Sequence, residues 1–168
     1  MNFYGEFEQK VDAKGRVSIP ADFRRALEAG DPDWKGAEGQ RPRLRLVYGV
    51  PDQPYLEGYS ITEFAMLEER IETLDDDTRE MLLDFYIQGA EHAAVDDDGR
   101  IILSQRLREE LGLGKDGGPV IFAGRSHTFR IWLPADFEAD KAAKRAAIDR
   151  IKPADGSIAR LLPRRPRG

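Results

Sequence analysis

Val11-Asp-Ala-Lys-Gly-Arg-Val-Ser-Ile-Pro-Ala-Asp-Phe-Arg-Arg-Ala-Leu27 returns without a gap as Val95-Asp-Asp-Asp-Gly-Arg-Ile-Ile-Leu-Ser-Gln-Arg-Leu-Arg-Glu-Glu-Leu111. Six positions are identical: Val11/Val95, Asp12/Asp96, Gly15/Gly99, Arg16/Arg100, Arg24/Arg108 and Leu27/Leu111. Val17/Ile101, Ile19/Leu103 and Phe23/Leu107 exchange one apolar residue for another. Two copies 84 residues apart are too few and too widely spaced for a solenoid. They predict a pseudo-dimer built into one chain.

Each copy has the same local grammar. Phe7, Gln9 and Val11 alternate with Glu6, Glu8, Lys10 and Asp12, the period of a half-buried strand. Asp12-Ala-Lys-Gly15 is turn chemistry, with Gly15 free to take positive φ. Arg16-Val-Ser-Ile19 predicts the returning strand of a hairpin, with Val17 and Ile19 inward. Pro20 suits the first turn of a helix, because its missing N–H would be unpaired there anyway. Phe23 and Leu27 give that helix one apolar stripe. In the second copy Val95 leads into Asp96-Asp97-Asp98-Gly99 and Arg100-Ile-Ile-Leu103. Ser104 is then a good N-cap, and Leu107 and Leu111 form the stripe.

The rest of the chain fits around these units. Leu44 to Val47 and Tyr55 to Tyr59 predict strands after the first copy, and Val120 to Phe122 and Phe129 to Leu133 after the second. Phe64 and Phe137 close the two units at similar offsets. Gly30 to Pro42 is rich in Gly, Pro and charge and predicts an inserted loop. Ser60 to Arg70 and Asp77 to Gln88 predict connecting helices, with Phe64, Leu67 and Ile71 on one face and Met81, Leu82, Phe85 and Tyr86 on another. Asp136 to Ile151 predicts a solvated helix ended by Pro153, followed by a mobile basic tail. The expected organisation is a first copy at 1–70, a connecting helix at 71–88, a second copy at 89–135, a C-terminal helix at 136–152 and a tail at 153–168. Neither half has apolar residues enough for a core of its own, so both are expected to contribute to one closed barrel.

Composition narrows the function. Cys is absent, which removes disulfides and thiolate metal sites. No apolar run approaches membrane-spanning length, so the expected location is the cytoplasm, with no membrane partner. The net charge of −5 is unevenly spread: residues 1–25 carry +1, residues 141–168 carry +7, and the remainder must carry −13. A nucleic-acid face must therefore be assembled locally. No catalytic constellation is apparent, and neither an enzyme nor a small-molecule substrate is expected. His92 and His127 lack a nucleophile or metal partner. Gly112-Leu-Gly114-Lys-Asp-Gly117 follows a helix where dinucleotide binding needs a strand. Asp96 to Gly99 would need ligands at Ala94 and Gln105 to be a calcium loop. Asp75-Asp76-Asp77 fits a solvated helix start. No cofactor or metal is expected.

The first copy does carry chemistry. Lys10, Lys14, Arg16, Arg24 and Arg25 fall within sixteen residues, around a hairpin tip narrow enough for a DNA groove. Arg16 has two compatible readings: pairing with Asp12 to hold the turn, or contact with DNA. Asp12, Gly15, Asp96, Gly99 and Arg100 recur as a structural set. The copies diverge at Lys10/Ala94, Lys14/Asp98 and Arg25/Glu109. Three consecutive carboxylates do not suit a phosphate-facing tip, so the first copy is expected to touch nucleic acid and the second to complete the barrel.

Glu6 to Leu27 closely resembles the swapped-hairpin DNA-binding domain of the AbrB-like transition-state regulators and antitoxins. Two copies in one chain, each with Asp-x-x-x-Arg, resemble the MraZ family. The resemblance runs from about Met1 to Trp132 and is weakest in the Gly30 to Pro42 loop and the tail. It implies an α+β fold, mainly β with short helices: an AbrB-like double-split β-barrel formed by two tandem copies, plus a C-terminal helix. It also implies a sequence-specific DNA-binding regulator, expected to be a repressor, of the bacterial division and cell wall gene cluster. The basic residues that contact DNA carry over to Lys10, Arg16, Arg24 and Arg25, with Lys14 added at the turn; Gln9 departs from the basic residue often found there. The partners implied are double-stranded DNA bearing direct repeats, in the nucleoid, and further copies of the chain in a ring-shaped homo-oligomer. An alternative from another class is an antitoxin-like protein–protein interaction scaffold, against which the short basic tail argues.

Overall fold

The computed structural model describes residues 2–168. The first copy forms β1 (Glu6–Val11), β2 (Arg16–Ser18), α1 (Ala21–Ala29), β3 (Arg43–Val47) and β4 (Tyr55–Ser60). Helices α2 (Ile61–Glu72) and α3 (Asp76–Leu82) connect it to the second copy. That copy forms β5 (Ala90–Ala94), β6 (Arg100–Ile102), α4 (Gln105–Leu111), β7 (Gly118–Arg125) and β8 (Thr128–Trp132). The fold is mixed α+β, and every strand pairing is antiparallel.

The strand order carries the repeat into three dimensions. Six strands form one sheet in the order β1-β7-β8-β4-β3-β5, and β2 and β6 form a separate ribbon. β1 is the repeat equivalent of β5, β7 of β3 and β8 of β4, so the order reads the same from either end. The copies exchange strands: β1 pairs along its whole length with β7, from Glu6↔Ala123 to Val11↔Gly118. β5 pairs with β3, from Ala90↔Val47 to Ala94↔Arg43.

The predicted simple hairpin is thus opened. After its turn β2 leaves β1 and pairs with β6, in the register Arg16↔Ile102, Val17↔Ile101, Ser18↔Arg100. Each of these strands has three residues and one buried side chain, Val17 or Ile101. Pairing across the repeat buries the two together and leaves β1 a full ladder with β7. The expected closed barrel is not formed by a continuous ladder of strands. The hydrogen bonding is split between sheet and ribbon, with β1 and β5 as the sheet's ends.

One core fills the space between. All five apolar repeat pairs are buried in it: Val11/Val95, Val17/Ile101, Ile19/Leu103, Phe23/Leu107 and Leu27/Leu111. Phe23 sits among Phe3, Phe7, Phe122 and Phe129, with ring centroids 5.2–6.4 Å away. A second cluster, Val47, Tyr59, Phe64, Leu67 and Ile71, packs α2 onto the sheet. Phe64, Leu67 and Ile71 are the predicted face of that helix.

Helix ends follow local chemistry. Ser60, Asp75 and Ser104 cap α2, α3 and α4 by accepting from the backbone N–H of Glu63, Thr78 and Leu107, at 3.2, 3.0 and 3.2 Å. Pro20 stands just before α1, at the N-cap, and not inside its first turn. The second connecting helix differs from expectation. After α3 it widens into a π-helical stretch, Leu83–Gln88. The widened turn brings Leu83 and Ile87 towards the second cluster beside Leu82 and Tyr86, while Met81 is exposed.

The predicted loop of residues 30–42 contains no strand or helix. Its Asp31 is buried and accepts from Arg43 N at 3.0 Å, Nε at 3.0 Å and Nη2 at 2.7 Å. The Arg43 guanidinium, ahead of the other contacts, holds the Asp31 carboxyl down to about 2.

The chain divides into two compact units, the first ending at Pro134 and the second being Ala135–Gly168. The second unit is mostly α5 (Pro134–Ile151) and a short 3-10 turn, Ile158–Leu161. α5 is largely exposed apart from Phe137, and Lys144–Asp140 and Lys152–Asp149 pair along the chain at 2.8 Å. No helix among the described residues is long and apolar enough to cross a membrane.

Candidate nucleic-acid interface

The two turns are built alike. Asp12 N–H donates to Arg16 O at 3.0 Å, and Gly15 N–H to Asp12 O at 2.9 Å. The Asp12 carboxylate accepts from the N–H of Lys14 at 3.0 Å and of Arg16 at 2.9 Å. In the second copy Asp96 does the same for Asp98 and Arg100, both at 2.9 Å. Gly15 and Gly99 close the turns with φ of +87° and +76°, a region that side chains resist. The backbone N–H of Arg16 and then its guanidinium hold the Asp12 carboxyl below its ordinary value; the N–H of Arg100 does the same for Asp96.

The strand exchange locks each turn to the opposite copy. Leu103 N–H donates to Gly15 O at 2.7 Å, and Ile19 N–H to Gly99 O at 2.9 Å. In the β2–β6 register Arg16 faces Ile102 and Arg100 faces Ser18. The turns therefore leave the ribbon at its opposite ends.

Charge separates the turns. At the first, Arg16 Nε pairs with Asp12 Oδ2 at 2.7 Å while the Arg16 side chain stays 39% exposed. Lys10 and Lys14 are exposed and make no ion pair among the described residues. At the second, Arg100 lies between Asp96 at 3.5 Å and Asp98 at 3.1 Å. Asp97 lies 3.9 Å from Arg41. The second turn sets three carboxylates against Arg100 and Arg41; the first keeps Lys10 and Lys14 beyond its single Asp12–Arg16 pair.

The five predicted cations do not form one group. Lys10, Lys14 and Arg16 come together at the first turn. Arg24 goes to the other end of the ribbon: its Nη1 lies 2.9 Å from where a Cβ on Gly99 would sit, and its Nε is 3.8 Å from Glu28. Arg25 is exposed on α1 and pairs with Asp22. Reading residues by closeness in sequence placed Arg24 at the wrong turn, because the helix following each hairpin packs beside the other copy's turn. The same logic brings in Arg108, which sequence reasoning passed over. Its Nη1 donates to Ala13 O at 3.1 Å. The identity Arg24/Arg108 within the repeat was the available signal. Asp31 and Arg43 left no such trace, since the inserted loop lies outside the repeat.

A family model described as MraZ protein and antitoxin-like matches the chain twice, at residues 2–85 and 86–160. The chain belongs to the MraZ family. The two matches take one copy each, although the copies are interleaved in space. MraZ relatives match across most of their length. A protein named transcriptional regulator MraZ from Cereibacter sphaeroides is 43% identical over 152 residues, 87% of this chain and 88% of the relative. One of the same name from Ruegeria pomeroyi is 38% identical over 143 residues, 84% of this chain and 83% of the relative. A third, from Gluconacetobacter diazotrophicus, is 35% identical over 158 residues, covering 92% and 93%.

Proposed function

We propose that this protein is a transcription regulator that binds double-stranded DNA through its first turn, with Lys10, Lys14 and Arg16 as the contacting side chains. The supporting observation is the difference between two turns of one geometry. Asp12 fixes the backbone and the Nε of Arg16, and the half-exposed guanidinium is left oriented. An arginine fork held this way suits guanine O6 and N7, while Lys10 and Lys14 suit flanking phosphates. Arg25, on the outer side of α1, is a further candidate for a phosphate contact once it leaves Asp22. The acidic second turn does not suit such a surface. The names of the relatives support the regulatory role.

One tip offers few contacts. Several protomers in a ring, on direct repeats upstream of the protein's own gene, would multiply them through avidity. Repression is the expected sign, and the division and cell wall cluster the expected target.

Binding to a duplex from that promoter region, against scrambled DNA across a salt series, tests the proposal. Preference for the promoter, dependence on more than one repeat and a steep fall with salt are expected. Equal weak binding to both duplexes would overturn it.

A further inference from the structure

The tip that the proposal places on DNA is held from behind by the other copy. Arg108, on α4, donates from Nη1 to Ala13 O at 3.1 Å. A Cβ on Gly15 would lie 3.3 Å from Arg108 Nε and 2.3 Å from Leu103 O. The guanidinium therefore sits directly against the turn backbone, between the start of α4 and the residues Ala13 to Gly15. Arg108 Nε also lies 3.4 Å from Ser104 O, which ties the side chain to the start of its own helix. Arg24 takes the pseudo-twofold-related place at the turn with three aspartates, its Nη1 2.9 Å from where a Cβ on Gly99 would sit.

We infer that Arg108 is a positioning residue for DNA recognition: the second copy uses it to set the angle at which the first turn presents Lys14 and Arg16. The inference rests on the proposed DNA-binding role of the first turn. A hydrogen bond from a charged donor to Ala13 O restrains the two residues that precede Gly15, where the chain has no side-chain packing of its own. A turn free to swing would spread Arg16 over many orientations, and each productive contact would then carry the entropy of ordering it. Arg24 lies against the second turn in the equivalent place, but its ion-pair partner is Glu28, and that turn is not proposed to touch DNA. The repeat thus contains its own control.

The test compares Arg108→Ala, Arg108→Lys, Arg24→Ala and Arg16→Ala in the full chain, for thermal melting and for promoter-duplex affinity across a salt series. Arg108→Ala is expected to weaken binding about tenfold, the scale of one lost charge-assisted hydrogen bond. Its salt slope should match the parent's, since no phosphate contact is removed. Arg108→Lys, which keeps a cationic donor towards Ala13 O, should recover most of the loss and covers the case in which the alanine variant fails to fold. Arg24→Ala, which removes the guanidinium beside the second turn, should bind DNA like the parent. A salt slope lowered by about one in Arg108→Ala would make Arg108 a phosphate contact and overturn the inference. Equal losses in Arg108→Ala and Arg24→Ala would reduce it to general stability and also overturn it. Parent-like binding by Arg16→Ala would instead remove the DNA-binding reading of the first turn, and the inference with it.

Discussion

Single residues in this protein gain their roles from the opposite copy. Gly15 is the sharpest case. Its φ of +87° explains a glycine in the turn, but a Cβ there would also meet Leu103 O at 2.3 Å. Gly39 has a similar φ of +79° with nothing within 4 Å. Gly15→Ala is therefore expected to cost about 1–3 kcal/mol more than Gly39→Ala, the scale of overpacking against backbone that cannot move aside. Urea unfolding of the two variants measures the difference. The Asp31–Arg43 pair predicts a pH dependence. Asp31 is depressed to about 2 in the folded chain and titrates near 3.9 when unfolded. Its stabilisation is complete above that unfolded value and is lost as pH falls towards 2. Asp31→Asn should cost about 1–2 kcal/mol at neutral pH, discounted for the partly exposed Arg43. It should also flatten the stability curve between roughly pH 4 and 2. An unchanged curve would show that the pair contributes nothing.

At the scale of elements, the period of β1, the cap at Ser104 and the apolar stripes of α1 and α4 were all legible, because each depends on neighbours within a few residues. The positive φ of Gly15 and the Asp12–Arg16 pair were legible for the same reason. The pairing of β2 with β6 was not. A three-residue strand has no pattern that distinguishes one antiparallel partner from another, and the choice is made by burial of Val17 against Ile101. The π-helical widening at Leu83 escaped too, since it is set by the fit of Leu83 and Ile87 against the second cluster. Arg24 was misplaced as a direct consequence of β2: once that strand crosses, everything after it lands beside the other turn.

For the molecule as a whole, the exchanged strands make two sequence repeats into one folding unit. β1 has its ladder partner in the second copy and β5 in the first. A chain cut after residue 85, where the first family match ends, would lose the partners of β1 and β2 and one of the two partners of β3 and of β4. The isolated fragment is expected to be unfolded or to recover its partners from a second fragment as a dimer. Circular dichroism and sedimentation would show either, and a folded monomer would contradict the exchange. The pseudo-twofold arrangement also separates architecture from function. Both turns share backbone, aspartate, glycine and arginine, yet one adds exposed lysines and the other two further aspartates. The central claim is that the first turn alone meets DNA. It is tested most directly by comparing Arg16→Ala with Arg100→Ala for affinity to the promoter duplex, with oligomer size and melting temperature measured alongside. The account predicts that both variants stay folded and assembled, that Arg16→Ala loses specific binding, and that Arg100→Ala keeps it. Equal loss in both, or loss only in Arg100→Ala, would contradict it.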